Sequence, residues 1–241
     1  MYDTQFAEVY DRVYCTLYDY AAHARLIADL AREHAPEAAT LLDVGCGTGE
    51  HLRHLRGEFA VTGLDLSEPM LARAREKLPA DVPLHQADMR KFDLGRSYDV
   101  ICSMYSAVGY LGGVPDLRDA VATMARHLTP AGVLIVEPWI LRERWRGGQL
   151  AHASVERDGV TISRMGQWRT EGDRSAVDMH YLVSEPGGEG VRHFVDREDL
   201  ALFSGDAYEE AFTAAGLTPR LLPVGRGDRG VYVATRTAGT A

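Results

Sequence analysis

The run Leu41-Leu42-Asp43-Val44-Gly45-Cys46-Gly47-Thr48-Gly49 constrains the fold more than any other part of the chain. Its first four residues suit a buried strand. Three glycines follow within five positions, and Glu50–Leu55 then resumes a helical apolar spacing. A strand that turns at once into a helix through glycines presents bare backbone, with no Cβ in the way. In open α/β sheets, ligands bind at that carboxyl end of the strands.

The same alternation continues downstream. "TLLDVG", "AVTGLDLS", "VPLHQADM", "YDVICSMYS" and "GVLIVEPW" read as five strands. Between them, "GEHLRHLRGE", "EPMLARAREKL" and "VPDLRDAVATMARHL" read as helices, the second with Ser67 at its N-cap and Pro69 in its first turn, the third ended by "TPAG". Strands alternating with helices predict an α/β fold with a doubly wound, mainly parallel sheet. Residues 1–35 precede it as a helical lid, with apolar positions at Phe6, Val9, Tyr10, Val13 and Tyr14, then Leu26, Ile27, Leu30 and Ala31.

After Trp139 the alternation fails. Residues 151–203 carry the turn signals "DG", "EGD" and "EPGGEG", which predict three or four antiparallel strands in hairpins. "GDAYEEAFTAAGL" reads as a helix with Asp206 near its cap and Gly216 at its end; "TPRLLPV" and "RGVYVATR" read as two closing strands. The predicted division is therefore 1–139, N-terminal helices and α/β core; 140–200, antiparallel β insertion; and 201–241, a C-terminal return to the core.

Composition narrows the partners. Of 241 residues, 46% are apolar and 25% charged, enough for a sizeable core. A net charge of −9 argues against nucleic acid, whose phosphates an acidic protein repels. No apolar stretch approaches the ~20 residues that span a bilayer, so no membrane partner is expected. "MYDTQFAEVYDR" is too acidic and polar for a signal peptide. Cys15, Cys46 and Cys102 are odd in number and lack metal-type spacing, which suggests free thiols in the cytoplasm. His51 and His54 lie three apart on a helix but lack a third ligand, so no metal is expected.

The glycine turn itself excludes two ligands. A phosphate-binding loop needs Lys and Ser or Thr after its last glycine; here Glu50 and His51 follow. A dinucleotide turn reads G-x-G-x-x-G; here Gly45–Gly49 is G-x-G-x-G. Asp43 and Glu50 favour a ligand with a cationic centre over a pyrophosphate. Asp65, 16 residues beyond Gly49, ends the second strand where a carboxylate accepts ribose hydroxyls. Asp88 closes the third strand in "QADMR", placed to take the exocyclic amine of an adenine, with Met89 over the ring.

"LLDVGCGTG", "GLDLS", "QADMR" and "LTPAGVLIVEPW" together resemble the class I S-adenosylmethionine-dependent methyltransferases, over about residues 35–140. The resemblance implies a Rossmann-like fold and S-adenosylmethionine as cofactor. It implies that Gly45, Cys46 and Gly47 line its methionine and ribose, that Asp65 holds the ribose, with Leu66 a further cofactor contact, and that Asp88 and Met89 hold the adenine. It adds Met104, Tyr10 and Tyr20 to the cofactor contacts, although helical packing explains the two tyrosines equally well.

A narrower resemblance runs nearly end to end. "AEVYD", "DYAAHA", "HQADMRKFDLGR", "SMYSAVGYL", "IVEPWI", "VRHF", "YEEAFTAAGL" and "DRGVY" are similar to the TDP-amino-sugar N,N-dimethyltransferases, which make desosamine- or mycaminose-type sugars of macrolide antibiotics. "CTLYDY", "PWI" and "SRMGQWR" depart from that pattern in the lid and insertion, where sugar specificity is set. The implied reaction is N-methylation, twice, of the amine of a TDP-linked 3-amino-deoxyhexose. Methyl transfer from a sulfonium is an in-line displacement that asks the protein for alignment and a neutral amine. Tyr2 and Tyr110 are the expected positioning residues, with no firm general base. Ser106, Trp139, Arg164, His180 and Arg229 are the expected substrate contacts, arginines supplying charge for a diphosphate. Exposed edges of the insertion predict a homodimer. Alternatives are a 4-amino TDP-sugar, another small natural-product acceptor, or a cofactor-binding regulatory or scaffold protein without activity.

Overall fold

The computed structural model describes residues 4–227 and 229–237. Helix α1 (Thr4–Leu17) leads into α2 (Tyr20–His34), separated by Asp19, whose carboxylate accepts the Ala22 N–H at 2.8 Å and caps α2. Then follow β1 (Thr40–Val44), α3 (Glu50–Leu55), β2 (Ala60–Asp65), α4 (Glu68–Lys77), β3 (Leu84–Gln86), β4 (Tyr98–Ser103), a 3-10 turn (Ala107–Tyr110), α5 (Val114–Arg126) and β5 (Leu128–Val136). The antiparallel part holds β6 (Leu150–Arg157), β7 (Val160–Gln167), β8 (Arg169–Glu171), β9 (Arg174–Ser184) and β10 (Val191–Ala201). Helix α6 (Gly205–Ala214), β11 (Leu217–Leu222) and β12 (Val231–Arg236) complete the described chain.

The first sheet runs β11-β12-β5-β4-β1-β2-β3, with β1 to β5 parallel and β12 antiparallel to both neighbours. β1 lies near its centre, paired to β2 and β4, so Leu41, Leu42 and Val44 are wholly buried. Leu41 faces α2 and α3 through Ile27 and Leu52; Leu42 faces α5 and α6 through Val121 and Phe212. Coverage on both faces explains the continuous apolar runs in these strands.

Two strand limits differ from expectation. β3 keeps only Leu84–Gln86, because Ala87 ends the pairing and Asp88 turns back to accept from the Arg90 backbone and side chain. β5 begins at Leu128 rather than after "TPAG". Its register against β4 jumps from Tyr98–Leu128 to Val100–Val133, a bulge that absorbs residues 129–132. Gly132 makes the bulge possible: a Cβ there would lie 2.8 Å from the Asp99 carbonyl oxygen.

The second sheet runs β10-β9-β7-β6, with β8 on β9, five strands where three or four were expected. Asp158 and Gly159, both at positive φ, form the two-residue hairpin between β6 and β7. Its inner face packs against α1: Phe6, Val9, Val13 and Tyr14 meet Val155, Ile162, Val177, Met179 and Tyr181. So α1 belongs to the core of the antiparallel sheet, while α2 packs on the parallel one. Trp139, just past β5, donates from Nε1 to Ser175 Oγ at 2.8 Å and ties the two sheets together.

Candidate active site

The carboxyl ends of β1, β2, β4 and β5 converge on one place. After β1, the N–H groups of Gly45 and Cys46 both reach the Leu64 carbonyl, at 2.7 and 3.0 Å. Gly45, Gly47 and Gly49 all have positive φ, which glycine adopts without a steric cost. Gly45 is also crowded: a Cβ there would fall 2.6 Å from the Cβ of Ala107, in the turn after β4. Cys46 is buried against Gly63 of β2, where an added Cβ would meet its Sγ at 2.9 Å.

Asp65 braces this loop. One carboxylate oxygen accepts the Gly47 N–H and the other the Ser67 N–H, each at 2.8 Å. Burial raises its pKa, and the backbone donors oppose that rise. Each oxygen keeps a lone pair for a ribose hydroxyl. Leu66 stands beside it, 47% exposed. Met89 packs near Gly45, on the other side of the loop. Asp88 is already engaged: Arg90 holds it through three N–H contacts of 2.6–3.0 Å, and also reaches Asp116 at 2.9 Å. The Arg90 hydrogen bonds, first, hold the Asp88 carboxyl below the usual range.

Behind the glycines lies a set of buried polar atoms without a strong hydrogen-bond partner: both Asp43 oxygens, which meet only the weak Cys102 thiol donor, His51 Nε2, Tyr105 Oη and Glu137 Oε1. His51 Nδ1 stands 4.0 Å from Asp43, and the Cys102 thiol lies alongside. Burial pushes the Asp43 carboxyl up to about 7 and the His51 imidazole down to about 3. An unsatisfied buried carboxylate next to bare backbone suits a cationic amino group, and Asp65 suits a ribose. These residues therefore fit S-adenosylmethionine, whose methionine end would lie toward Asp43.

After β4, Tyr105 (φ 49°) and Ser106 (φ 63°) occupy the left-handed region in succession. Such backbone is uncommon outside glycine and costs of order 1–3 kcal/mol per residue. Three contacts hold it: Glu137 accepts the Tyr105 N–H at 2.8 Å, Ser106 Oγ donates to the Pro138 carbonyl at 3.0 Å, and Arg229 Nη1 donates to Ser106 Oγ at 2.9 Å. The Tyr105 ring packs among Tyr18, Tyr20, His23 and His51. Nothing in the residue types of "SMYSAVGY" marks Tyr105, nor in "IVEPW" marks Glu137, and sequence reasoning missed both.

A basic cleft of about 1090 Å³ opens beside this turn, lined by Tyr18, Ile140, Arg144, Arg146, Arg226 and Arg229 among others. Arg226 lies over the rings of Tyr18 at 4.2 Å and Tyr105 at 5.0 Å; Arg229 lies over Trp139 at 4.2 Å. Burial, then the neighbouring Arg226, pulls the Arg229 guanidinium down to about 10. Arg144, Arg146 and Arg226 were not among the expected contacts; their clustering needs the segment after β5 to meet the loop before β12.

The structure thus gathers Gly45, Cys46, Gly47, Asp65, Met89, Ser106, Trp139 and Arg229 at one end of the sheet. Met104 is buried there, in the core beneath the strained turn. Tyr20 contacts Tyr105 and His51, and Tyr10 stacks on Tyr14 with centroids 4.4 Å apart. Tyr110 closes the 3-10 turn at 40% exposure. Arg164 points to the inner face of the second sheet, donating to Tyr14 Oη at 3.0 Å. His180 is not brought with it. Strand alternation turns it to the outer face, where its ring stacks on His193. Tyr2 lies outside the described residues.

Residues 41–132 match a family model described as methyltransferase domain. Over 235 residues the chain is 48% identical to the dTDP-3-amino-3,4,6-trideoxy-alpha-D-glucopyranose N,N-dimethyltransferase of Streptomyces venezuelae, covering 97% of this chain and 98% of that one. The crystal structure of Streptomyces venezuelae DesVI superposes with a TM-score of 0.93 at 47% identity, over 98% of this chain and 100% of that one. The S-adenosylmethionine-bound structure of CalS10, an amino pentose methyltransferase from Micromonospora echinaspora involved in calicheamicin biosynthesis, gives 0.86 at 38% identity, over 98% of each chain.

Proposed function

The chain belongs to the family of TDP-amino-sugar N,N-dimethyltransferases, within the class I S-adenosylmethionine-dependent methyltransferases, and on that premise we propose that it methylates, twice, the 3-amino group of a TDP-linked deoxyhexose. S-adenosylmethionine is the cofactor and supplies an electrophilic methyl group on a sulfonium.

What the protein adds is position and exclusion of water. The loop at Gly45–Gly49 and the Asp65 carboxylate hold the nucleoside end; Asp43 takes the charge of the amino group. Met89 and Leu66 flank the adenine. Asp88 reaches its exocyclic amine while staying paired to Arg90. The turn at Tyr105–Tyr110 closes over the reacting centre, with Tyr110 at its rim to orient the sugar amine. Holding two reactants in line replaces a costly encounter, and effective molarities of about 10⁵ M and more are attainable that way.

The observation that supports a nucleoside diphosphate sugar is the cleft of Arg144, Arg146, Arg226 and Arg229 in a chain of net charge −9. Guanidinium groups pair with phosphate oxygens in bidentate fashion. Arg229 also orders Ser106, so the same side chain links the diphosphate to the strained turn. Tyr18, which lines the cleft beneath Arg226, offers a ring toward the sugar and thymine, and Trp139, buried beneath Arg229, supports that guanidinium. Arg164 lies deeper and supports the pocket through Tyr14.

The protein is further proposed to act as a cytoplasmic homodimer. No helix of the described residues is long and apolar enough to cross a membrane. Leu150, Met165, Leu182 and Val195 lie exposed on the outer face of the second sheet, a surface that a second copy would cover. Mass spectrometry of the protein incubated with S-adenosylmethionine and either a TDP-3-amino or a TDP-4-amino deoxyhexose tests the reading. Two methyl additions to the 3-amino sugar are expected; methylation of the 4-amino sugar alone, or of neither, would refute it.

A further inference from the structure

The inner face of β10 carries a carboxylate that the site described so far leaves unused. Phe194, Asp196, Glu198 and Leu200 alternate onto that face. Leu200 roofs the 3-10 turn: a Cβ at Gly109 would lie 3.2 Å from its Cδ2. Through Ala107 that turn touches Gly45 of the cofactor loop. Glu198 is one pleat further along the same face, within reach of the charges of Arg226 and Arg229, which line the arginine cleft.

Glu198 is nine-tenths buried, yet its carboxylate forms no hydrogen bond or ion pair among the described residues. The groups facing it come from every side: Tyr10 and Tyr14 of α1, Arg164 of β7, Tyr181 of β9, Asp196 of its own strand, and Arg226 and Arg229 from the loop before β12. All three arginines are occupied elsewhere. Arg164 bonds Tyr14, Arg226 covers Tyr18 and Tyr105, and Arg229 bonds Ser106 over Trp139. A largely buried carboxylate with no protein cation bonded to it is placed to accept one from a ligand. Burial, with Asp196 adding to it against the arginines, brings the Glu198 carboxyl to about 7, suited to exchanging a proton at neutral pH.

We propose that Glu198 is the group that receives the substrate's ammonium and takes one proton from it. This rests on the proposed amino-sugar reaction. An alkyl amine enters protonated near pH 7. One N–H bond breaks and its proton forms a carboxylic acid with Glu198, leaving the lone pair on nitrogen. That pair forms the N–C bond while the S–C bond of the donor breaks, and the sulfur keeps the electrons of that bond. Glu198 then loses its proton to water in the cleft, and the methylated ammonium gives up its next proton to the same carboxylate before the second transfer. Tyr10 and Tyr14 flank it as hydroxyl neighbours, raised by burial and therefore protonated donors.

Glu198→Gln, assayed with S-adenosylmethionine and a TDP-3-amino deoxyhexose from pH 6 to 9, tests this. The expected result is a fall in kcat of at least tenfold and a shift of the acidic limb of kcat toward higher pH. Cofactor affinity by titration calorimetry and the melting temperature should stay near those of the parent protein, and Glu198→Asp should recover part of the rate. An unchanged limb with kcat within twofold would overturn the proposal. So would a loss that follows cofactor affinity and melting temperature together with the limb unmoved, because that is a structural role. Absence of turnover in the parent protein would instead refute the amino-sugar reading, and this assignment with it.

Discussion

Gly45 and Ala107 are fitted to each other so closely that a methyl group on the glycine would come within 2.6 Å of the alanine Cβ. The loop after β1 and the turn after β4 are thereby one packed unit. In the proposed arrangement one side of it faces the cofactor and the other the acceptor, so disturbance on either side is felt on both.

Gly45→Ala is expected to destabilise the protein by about 1–3 kcal/mol, since its φ of 81° disfavours any Cβ and the clash adds to that. Cofactor affinity should fall at least tenfold. Gly47→Ala should be milder in stability, because its added Cβ would meet only Met70 Cε, at 3.5 Å. Thermal melts and titration calorimetry of both variants check the order; equal losses would contradict it.

Asp43 carries a pH signature. Its folded pKa of about 7 lies above its ordinary value, so the stability linked to it is present at acidic pH and declines as pH rises toward 7. His51 acts oppositely, its depressed folded pKa costing stability as pH falls below its ordinary range. Asp43→Asn removes the first effect alone. Without cofactor it should melt higher than the parent at pH 8, with the gap closing toward pH 4. It should also bind cofactor more weakly by about 1.5–3 kcal/mol, through loss of a charged partner. A variant that melts lower than the parent at pH 8 would show Asp43 to be well satisfied.

Arg226→Ala and Arg229→Ala each remove a guanidinium from the cleft. Each should raise KM for the TDP-sugar roughly tenfold or more, in line with ~1.5–3 kcal/mol for a charge-assisted hydrogen bond. Cofactor affinity should change little for Arg226→Ala. For Arg229→Ala, kcat should fall as well, because Ser106 loses its donor. Protection by thymidine diphosphate in a thermal melt gives an independent reading; undiminished protection in both variants would place the diphosphate elsewhere.

Leu182→Glu puts a charge at the centre of the outer face of the second sheet, where Leu182 is 47% exposed. Sedimentation should show the parent as a dimer and this variant as a monomer, with the melting temperature of the isolated fold nearly unchanged. A dimer that survives the substitution would move the interface to another surface.

The α/β core was legible because its signals are local. Apolar runs of strand length, glycines at a strand end and acidic residues such as Asp65 and Asp88 are each read from a few neighbouring positions. The antiparallel sheet was legible as hairpins through "DG", "EGD" and "EPGGEG". Its strand count was not, since β8 is three residues long and owes its existence to pairing with β9. The start of β5 was misplaced for a related reason: Thr129–Gly132 look like a turn, and only the bulge against β4 keeps them in the strand.

For the candidate site, the sequence by itself determined the glycine loop and the carboxylates that follow the strands, since a glycine's freedom and a carboxylate's place after a strand need only neighbours in the chain. Tertiary structure alone decided that Arg164 faces α1 while His180 faces outward, that Tyr105 and Ser106 take left-handed backbone over Glu137, and that four arginines from two distant segments share one cleft. Those relations depend on which surfaces meet when the insertion and the C-terminal strands close on the core, and energies between residues some eighty positions apart leave no periodic trace in the chain.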